Sequence, residues 1–139
     1  MKKIIIPIII LVAILVGLIL GGYLLIDRLF PKAEPINVPT SDTVISMTVA
    51  KNEMRKAGEP REVASTDIEG ILAQLSEAEP TRKTTVQDSP DAQVYYEIAA
   101  KTDKRTHYFY VYEEGGMCYV EIPYEGIYTI GNRMIELLQ

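Results

Sequence analysis

Cysteine and histidine are almost absent from this 139-residue sequence, which contains one of each, Cys118 and His107. A single cysteine cannot form an internal disulfide, so the hydrophobic core must hold the fold together. Cys118 also lies far from the N-terminal apolar run, which excludes lipoprotein processing. A single histidine excludes a zinc site built from several histidines, and it leaves one candidate base for a Ser–His–acid triad.

Catalytic and metal-binding patterns are also missing. Cys118 and His107 fall on strand positions that we assign to the core, so we expect a buried thiol, a structural histidine and no enzyme activity. Loop carboxylates such as those of Asp88 and Asp91 lack the spacing of a calcium loop. The glycine pairs Gly21–Gly22 and Gly115–Gly116 lack the spacing of a phosphate loop. The sequence therefore predicts neither a metal site nor a cofactor.

Positive charge is scarce beyond the N-terminus. The chain has 14 basic and 19 acidic side chains and a net charge of −5. Residues 1–32 contain four basic side chains and one acidic side chain, a net +3, which leaves −8 for residues 33–139. An acidic domain of this kind is a poor nucleic-acid binder and is not attracted to an anionic membrane surface.

The longest feature that is present is an apolar run from Ile4 to Ile26 without a charged side chain. At about 1.5 Å per residue, a helix of this length crosses a hydrocarbon core of about 30 Å. We therefore predict a membrane anchor over residues 1–27, with residues 4–26 in the lipid bilayer. Lys2 and Lys3 precede the run, so the N-terminus should stay in the cytoplasm and the rest should be exported across the cell membrane.

The apolar run allows two further interpretations. A cleaved signal peptide has a shorter apolar region of about 7–15 residues, but cleavage after Gly21 or Gly22 would fit one. Gly17 and Gly21 have the small-xxx-small spacing that lets two membrane helices approach closely, which indicates a weak homodimer.

A proline-rich segment follows the anchor. Pro31, Pro35 and Pro39 recur at every fourth position, which favours an extended, semi-rigid linker over residues 28–42. At about 3 Å per residue, the linker would hold the domain some 30 Å from the bilayer. Residues 43–139 then form one domain, because a chain of about a hundred residues suits a single core.

The hydrophobic periodicity of this domain predicts an α+β fold, a small antiparallel sheet packed on one main helix. Thr66 and Glu69 form a capping-box pattern, and apolar residues follow with helical spacing, so we predict a helix over Thr66–Ala78. The remaining apolar segments alternate like strands, and the predicted strands are Val44–Val49, Arg61–Ala64, Arg82–Val86, Val94–Lys101, Thr106–Tyr112, Met117–Ile122 and Ile127–Ile130. Asn132 is expected to begin a final helical turn that carries Ile135 and Leu138.

The alternation of side chains gives the sheet two different faces. One face is mostly aliphatic and should lie under the helix; its members are Val94, Tyr96, Ile98, Phe109, Val111, Cys118, Val120 and Ile122. The other face, which we call the tyrosine face, carries Tyr95, Tyr108, Tyr110, Tyr112, Tyr119 and Glu121, with Glu97 beside them. Tyrosine suits a half-wet surface and is enriched at interfaces, so this face is the candidate binding site, although plain cross-strand pairing on a solvated sheet explains it equally simply.

The segment Tyr119–Tyr128, together with Pro80–Pro90 and the hairpin Tyr108–Gly116, resembles a family of small, uncharacterised extracytoplasmic domains from Gram-positive bacteria. Members of this family are often anchored by one N-terminal helix or by a lipid. The resemblance covers most of residues 41–130. It implies a domain of unknown function built around Tyr119–Tyr128 and carries no catalytic residue to this chain.

These observations predict a single-pass membrane protein whose exported domain is a non-enzymatic binding module. Its partner is expected to be a protein, with the domain in an accessory or sensory role. A module that binds cell-wall glycans through stacked tyrosines is an alternative, and a small hydrolase that uses His107 is another.

Overall fold

The N-terminal part of the chain is one long helix. The structure is a computed structural model that describes residues 2–54 and 56–139, and it divides into two units, residues up to Lys32 and residues 33–139. Helix α1 runs from Lys2 to Leu29, and none of its span Ile6–Leu29 is buried. Those 24 residues have a mean hydropathy of 2.9, so the span is long and apolar enough to cross a membrane. Signal sequences meet the same criteria of length and composition.

The second unit is built on a seven-stranded sheet in which every strand pair is antiparallel. Its strands are β1 (Val44–Glu53), β2 (Arg61–Glu62), β3 (Glu79–Pro80), β4 (Val94–Thr102), β5 (Thr106–Glu114), β6 (Met117–Ile122) and β7 (Gly126–Ile130). The strand order is β2-β1-β4-β5-β6-β7-β3. The described part of the unit also contains the α-helices α2 (Ser65–Ser76) and α3 (Arg133–Leu138) and a short 3-10 helix at Ser41–Thr43. The predicted α+β class is confirmed.

The main core lies between α2, α3 and the aliphatic face of the sheet. Helix α2 buries its apolar stripe of Ile68, Ile71, Leu72 and Leu75. The strand residues beneath it are those predicted to point inward, from Tyr96 to Ile122. Val94 is the exception, with 41% of its surface exposed, because it is the first residue of β4 and lies at the end of the sheet.

The predicted capping box does not form. Helix α2 begins at Ser65, and Ala64 occupies the cap position in an extended conformation without a side-chain hydrogen bond. The carbonyl of Ala64 accepts the backbone N–H groups of Asp67 and Ile68, which places Thr66 inside the first turn. The Thr66 hydroxyl instead bonds the carboxylate of Asp67. The helix therefore starts one residue earlier than predicted and ends two residues earlier.

The chain end and the sheet edges are protected by short elements. Helix α3 buries Met134 and Leu138 and begins after Asn132, whose side chain makes no cap hydrogen bond. Strands β2 and β3 at the two edges have two residues each, so neither presents a long row of unpaired backbone groups. The predicted strand Arg61–Ala64 is shorter than expected, since Val63 already donates to the carbonyl of Met47 outside the ladder.

Part of the segment predicted as a linker belongs to the folded domain. Ala33, Ile36 and Val38 pack against the main core, and the buried Tyr128 hydroxyl donates to the carbonyl of Glu34 at 3.0 Å. A Cβ on Gly126 would lie 2.6 Å from the Cβ of Ala33, so only glycine at this position allows the two segments to approach. The prediction of a free spacer up to residue 42 is therefore wrong from Ala33 onward.

Candidate functional site

Residues 81–93 form an irregular segment, which we call the strap, that lies over the tyrosine face of the sheet. The backbone N–H and the hydroxyl of Thr81 both donate to the carbonyl of Ile127, at 3.1 and 2.6 Å. At the other end, the carbonyl of Gln93 accepts the N–H of Met54 at 2.7 Å. The strap is thus fixed by its backbone at both ends.

The predicted strand Arg82–Val86 is wrong, because threonine side chains in the strap satisfy the local backbone. The N–H of Lys83 bonds the hydroxyl of Thr81 at 3.1 Å, and the N–H of Gln87 bonds that of Thr85 at 3.4 Å. Such local bonds compete with a strand ladder. Within the described part of the chain, residues 83–92 make no backbone–backbone hydrogen bond to the sheet.

Side chains hold the middle of the strap on β6. The Lys83 ammonium lies 4.4 Å from the ring centroid of Tyr119, within the range of a cation–π contact, and 3.4 Å from a carboxylate oxygen of Glu114. The Thr85 hydroxyl donates to the carboxylate of Glu121, which is only 4% exposed. The strap contributes both a cation and a hydroxyl donor to this face.

A third contact lies beyond the end of β6. The Tyr124 hydroxyl donates to the carboxylate of Asp88 at 2.6 Å, and this bond raises the pKa of Tyr124. Tyr124 has φ of 63°, a left-handed conformation that is uncommon for an aromatic residue. The bonds from Thr85 and from Asp88 each join residues 36 positions apart, so the strap runs parallel to β6 above it.

The strap covers most of the predicted binding residues. Tyr110, Tyr112, Tyr119 and Glu121 are buried, Tyr95 is half-buried, and Tyr108 is 46% exposed. The expectation of an open, solvated tyrosine face is therefore wrong, whereas a binding role for these residues stays a prediction. The sequence offered no signal for this cover, because the strap contacts β6 through side chains far apart in the chain.

The buried tyrosines form cross-strand ring contacts. Tyr112 and Tyr119 lie opposite each other on β5 and β6, with ring centroids 5.7 Å apart, and Tyr95 meets Tyr110 edge to face at 5.8 Å. Burial, with a contribution from the Glu97 carboxylate, raises the pKa of Tyr110 to about 12. Burial and the Glu121 carboxylate likewise raise the pKa of Tyr112. Both hydroxyls therefore stay neutral at physiological pH.

An open cavity of about 640 Å³ lies where the strap meets the end of the sheet. We call it the strap groove; its lining residues are Met54, Gln87, Ser89, Pro90, Asp91, Ala92, Gln93 and Tyr95. Its volume is that of a typical ligand site. A neighbouring cavity of about 530 Å³ shares Asp91, Ala92 and Gln93 and reaches Tyr112.

Met54 is the unusual residue of the strap groove. Its φ is 47°, in the left-handed region, and its side chain is 81% exposed. A non-glycine residue in this region costs about 1–3 kcal/mol and recurs at functional sites. Sequence reasoning missed Met54, because a polar turn signal around Gly58–Pro60 gives no indication of the conformation four residues earlier.

The two residues considered for catalysis are not brought together. His107 pairs with Ala100 near the start of β5, whereas Cys118 pairs with Glu113 near the end of that strand. Burial and the Arg105 guanidinium lower the pKa of His107, and burial raises the pKa of the Cys118 thiol to about 11. Neither arrangement activates a nucleophile.

Comparison with known proteins places the domain in a family. Residues 32–129 match the family DUF5301, which is described as "Domain of unknown function (DUF5300)". The chain belongs to this family. Its matched region includes the strap, the tyrosine face and the strap groove.

A solved structure supports the same fold. The chain is similar to the one described as "NMR structure of the protein from Ruminococcus gnavus", with 27% sequence identity and a TM-score of 0.57. The similarity covers 73% of this chain and 97% of that one. No curated protein matches the chain.

Proposed function

We propose that this protein is a single-pass membrane protein of a Gram-positive cell, whose domain lies outside the cytoplasm and binds a protein partner without catalysing a reaction. The observation that carries the proposal is the strap groove with its strained, exposed Met54.

The N-terminal helix supports the membrane part of the proposal. Its apolar span of 24 residues is long enough to cross a bilayer with some tilt. Lys2 and Lys3 before the span favour a cytoplasmic N-terminus. In this arrangement the helix is retained as an anchor, and Gly17 and Gly21 provide a surface on which two copies pack weakly.

The strap groove supports the binding part of the proposal. Met54 exposes its apolar side chain in the groove, the half-buried Tyr95 lines the same groove, and Val94 exposes its side chain nearby at the same end of the sheet. Apolar and aromatic residues that stay in contact with water at a concave site are typical of protein interfaces. The left-handed backbone of Met54 carries a conformational penalty while its side chain stays exposed. Contacts of this side chain with a partner would offset that penalty.

The groove lies at the end of the sheet away from the point where the N-terminal segment joins the domain. Ala33 lies beside Gly126, the first residue of β7, whereas Met54 follows the last residue of β1. The ladder places that last residue, Glu53, beside Val94 at the other end of the sheet. The groove and Ala33 therefore lie at opposite ends of the sheet.

A protein partner fits the geometry better than a glycan. Glycan binding by stacking needs aromatic ring faces that are open to solvent, and Tyr110, Tyr112 and Tyr119 are buried beneath the strap. The open parts of the site are instead aliphatic and polar, with Met54 and Gln93 among them.

Site-specific photo-crosslinking in the native cell tests the proposal. A photoreactive residue replaces Met54 in one variant and the exposed Glu77, after α2 on the opposite face of the sheet, in a control variant. We expect a discrete protein adduct from position 54 alone, in the membrane fraction. Equal adducts at both positions, or none, would contradict a binding site at the groove, and protein in the medium rather than the membrane would contradict the anchor.

A further inference from the structure

We infer that the strap is an internal ligand of the tyrosine face, and that a basic, extended segment of the protein partner displaces it. This inference rests on the proposed function, because it names the partner chemistry and the regulation of that same site. The strap would keep the face covered until the partner arrives.

The contacts of the strap define what the face accepts. Lys83 presents an ammonium group to the Tyr119 ring and the Glu114 carboxylate, and Thr85 presents a hydroxyl to Glu121. One residue, Thr84, separates Lys83 from Thr85, and side chains at i and i+2 of an extended chain point to the same side. The face therefore accepts a lysine followed two positions later by a hydroxyl residue.

The strap is attached in a way that permits its release. Residues 83–92 make no backbone–backbone hydrogen bond to the sheet in the described part of the chain, so a few side-chain contacts hold them. The Lys83–Glu114 ion pair is exposed to solvent, and exposed pairs of this kind contribute little to stability. Segments with such contacts open at a lower free energy than the strands beneath them.

Glu121 restricts which partner can replace the strap. Its carboxylate is buried and accepts the hydroxyl of Thr85. Removal of that donor without a substitute leaves a buried acceptor unsatisfied, which is costly because the group has also lost its contact with water. A competing segment must bring its own hydroxyl or cation to this position.

The charge of the domain favours the same partner. Residues 33–139 carry a net −8, and Asp91 and Glu114 lie along the strap. Complementary charge accelerates encounter and disfavours acidic competitors. The strap groove, which strap residues 87 and 89–93 line together with Met54 and Tyr95, gives an extended segment a place to begin binding before Lys83 and Thr85 are released.

A peptide-binding measurement on the full-length protein in detergent micelles tests this inference. The labelled peptide copies residues 81–87, and the matched control peptide carries Lys83→Glu and Thr85→Val. Three forms of the protein are compared: the wild type, a double variant with Lys83→Ala and Thr85→Val, and a control variant with Thr84→Val. Thr84 is exposed, so its change leaves the strap contacts in place.

We expect the peptide to bind the double variant at least tenfold more tightly than the wild type or the Thr84→Val variant, because apparent affinity rises with the open fraction. The control peptide should bind all three forms weakly. Equal affinity for the three forms, or equal affinity for the two peptides, would overturn the inference. Circular dichroism identifies a double variant that has lost its fold.

Hydrogen exchange on the wild type provides a second measurement that needs no variant. The backbone amides of residues 84–89 and of Asp91 should exchange at least a hundredfold faster than that of Val120 in β6, and equal protection would overturn the inference. Both measurements use purified protein, so they fail independently of the cellular crosslink. A missing crosslink with peptide binding intact would refute only the partner in that cell.

Discussion

Replacement of Met54 by glycine tests whether the loop after β1 is strained around an exposed side chain. At an ordinary position, glycine is less stable than alanine by about 0.5–1 kcal/mol. At φ of 47° the order should reverse, because the Cβ of a left-handed residue costs about 1–2 kcal/mol. We therefore expect Met54→Gly to be more stable than Met54→Ala by about 0.5–1 kcal/mol.

The exposure of the Met54 side chain predicts that the alanine variant is about as stable as the wild type. The side chain is 81% exposed, so its truncation removes little buried surface, and Met54→Ala should stay within about 0.5 kcal/mol of the wild type. Unfolding of the full-length protein in non-ionic detergent, followed by circular dichroism, measures both differences. A difference of 1 kcal/mol corresponds to roughly 4 °C in melting temperature for a domain of this size.

The same two variants separate stability from binding. With the photoreactive residue moved to Gln93 in the strap groove, both variants should lose most of the partner adduct, although one of them is more stable. A glycine variant less stable than the alanine variant would refute the left-handed conformation of Met54. A loss above about 2 kcal/mol in the alanine variant would refute the exposed position of the side chain.

Three further predictions concern the domain itself. Leu75→Ala should lower the free energy of unfolding by about 2–5 kcal/mol in urea titration, because Leu75 is fully buried beneath the sheet; a loss below about 1 kcal/mol would contradict its place in the core. Cys118 should resist alkylation in the native protein and react on unfolding, since burial raises its pKa to about 11, and rapid native labelling at neutral pH would argue against this burial. The contribution of Tyr110 to stability should be constant below pH 10 and be lost toward pH 12, because the unfolded chain loses the Tyr110 proton near 10 while the folded domain keeps it to about 12; Tyr110→Phe should reduce the alkaline loss of stability in melting curves.

The elements that the sequence predicted well are those with a strong local period. The spacing of Ile68, Ile71, Leu72 and Leu75 identifies the buried stripe of α2, and alternation identifies the inward residues of the central strands. These patterns reflect one-sided burial, which local sequence records directly. The predicted ends of α2 were less accurate. Its start was misplaced because Ala64 caps the helix through its backbone carbonyl and leaves no side-chain signature in the sequence.

The predictions for the strap and for the segment after Ala33 were wrong for a different reason. Arg82–Val86 has the β-branched composition of a strand, yet hydroxyl groups of Thr81 and Thr85 occupy its backbone donors. The segment after Ala33 has the composition of a free linker, yet Gly126 leaves room for it against the core. Both outcomes depend on contacts between residues far apart in sequence, which neither composition nor periodicity records.

The cover over the tyrosine face changes what the concentration of tyrosines means for function. On an open sheet, Tyr112 and Tyr119 would meet any partner directly, and their affinity would depend on ring contacts alone. Beneath the strap, a partner that binds as proposed would reach them only after Lys83 and Thr85 leave, so its apparent affinity would include the free energy of strap release. Substitutions in the strap should therefore strengthen binding, whereas substitutions in the tyrosines should weaken it, and this opposition distinguishes a covered binding face from an ordinary second core.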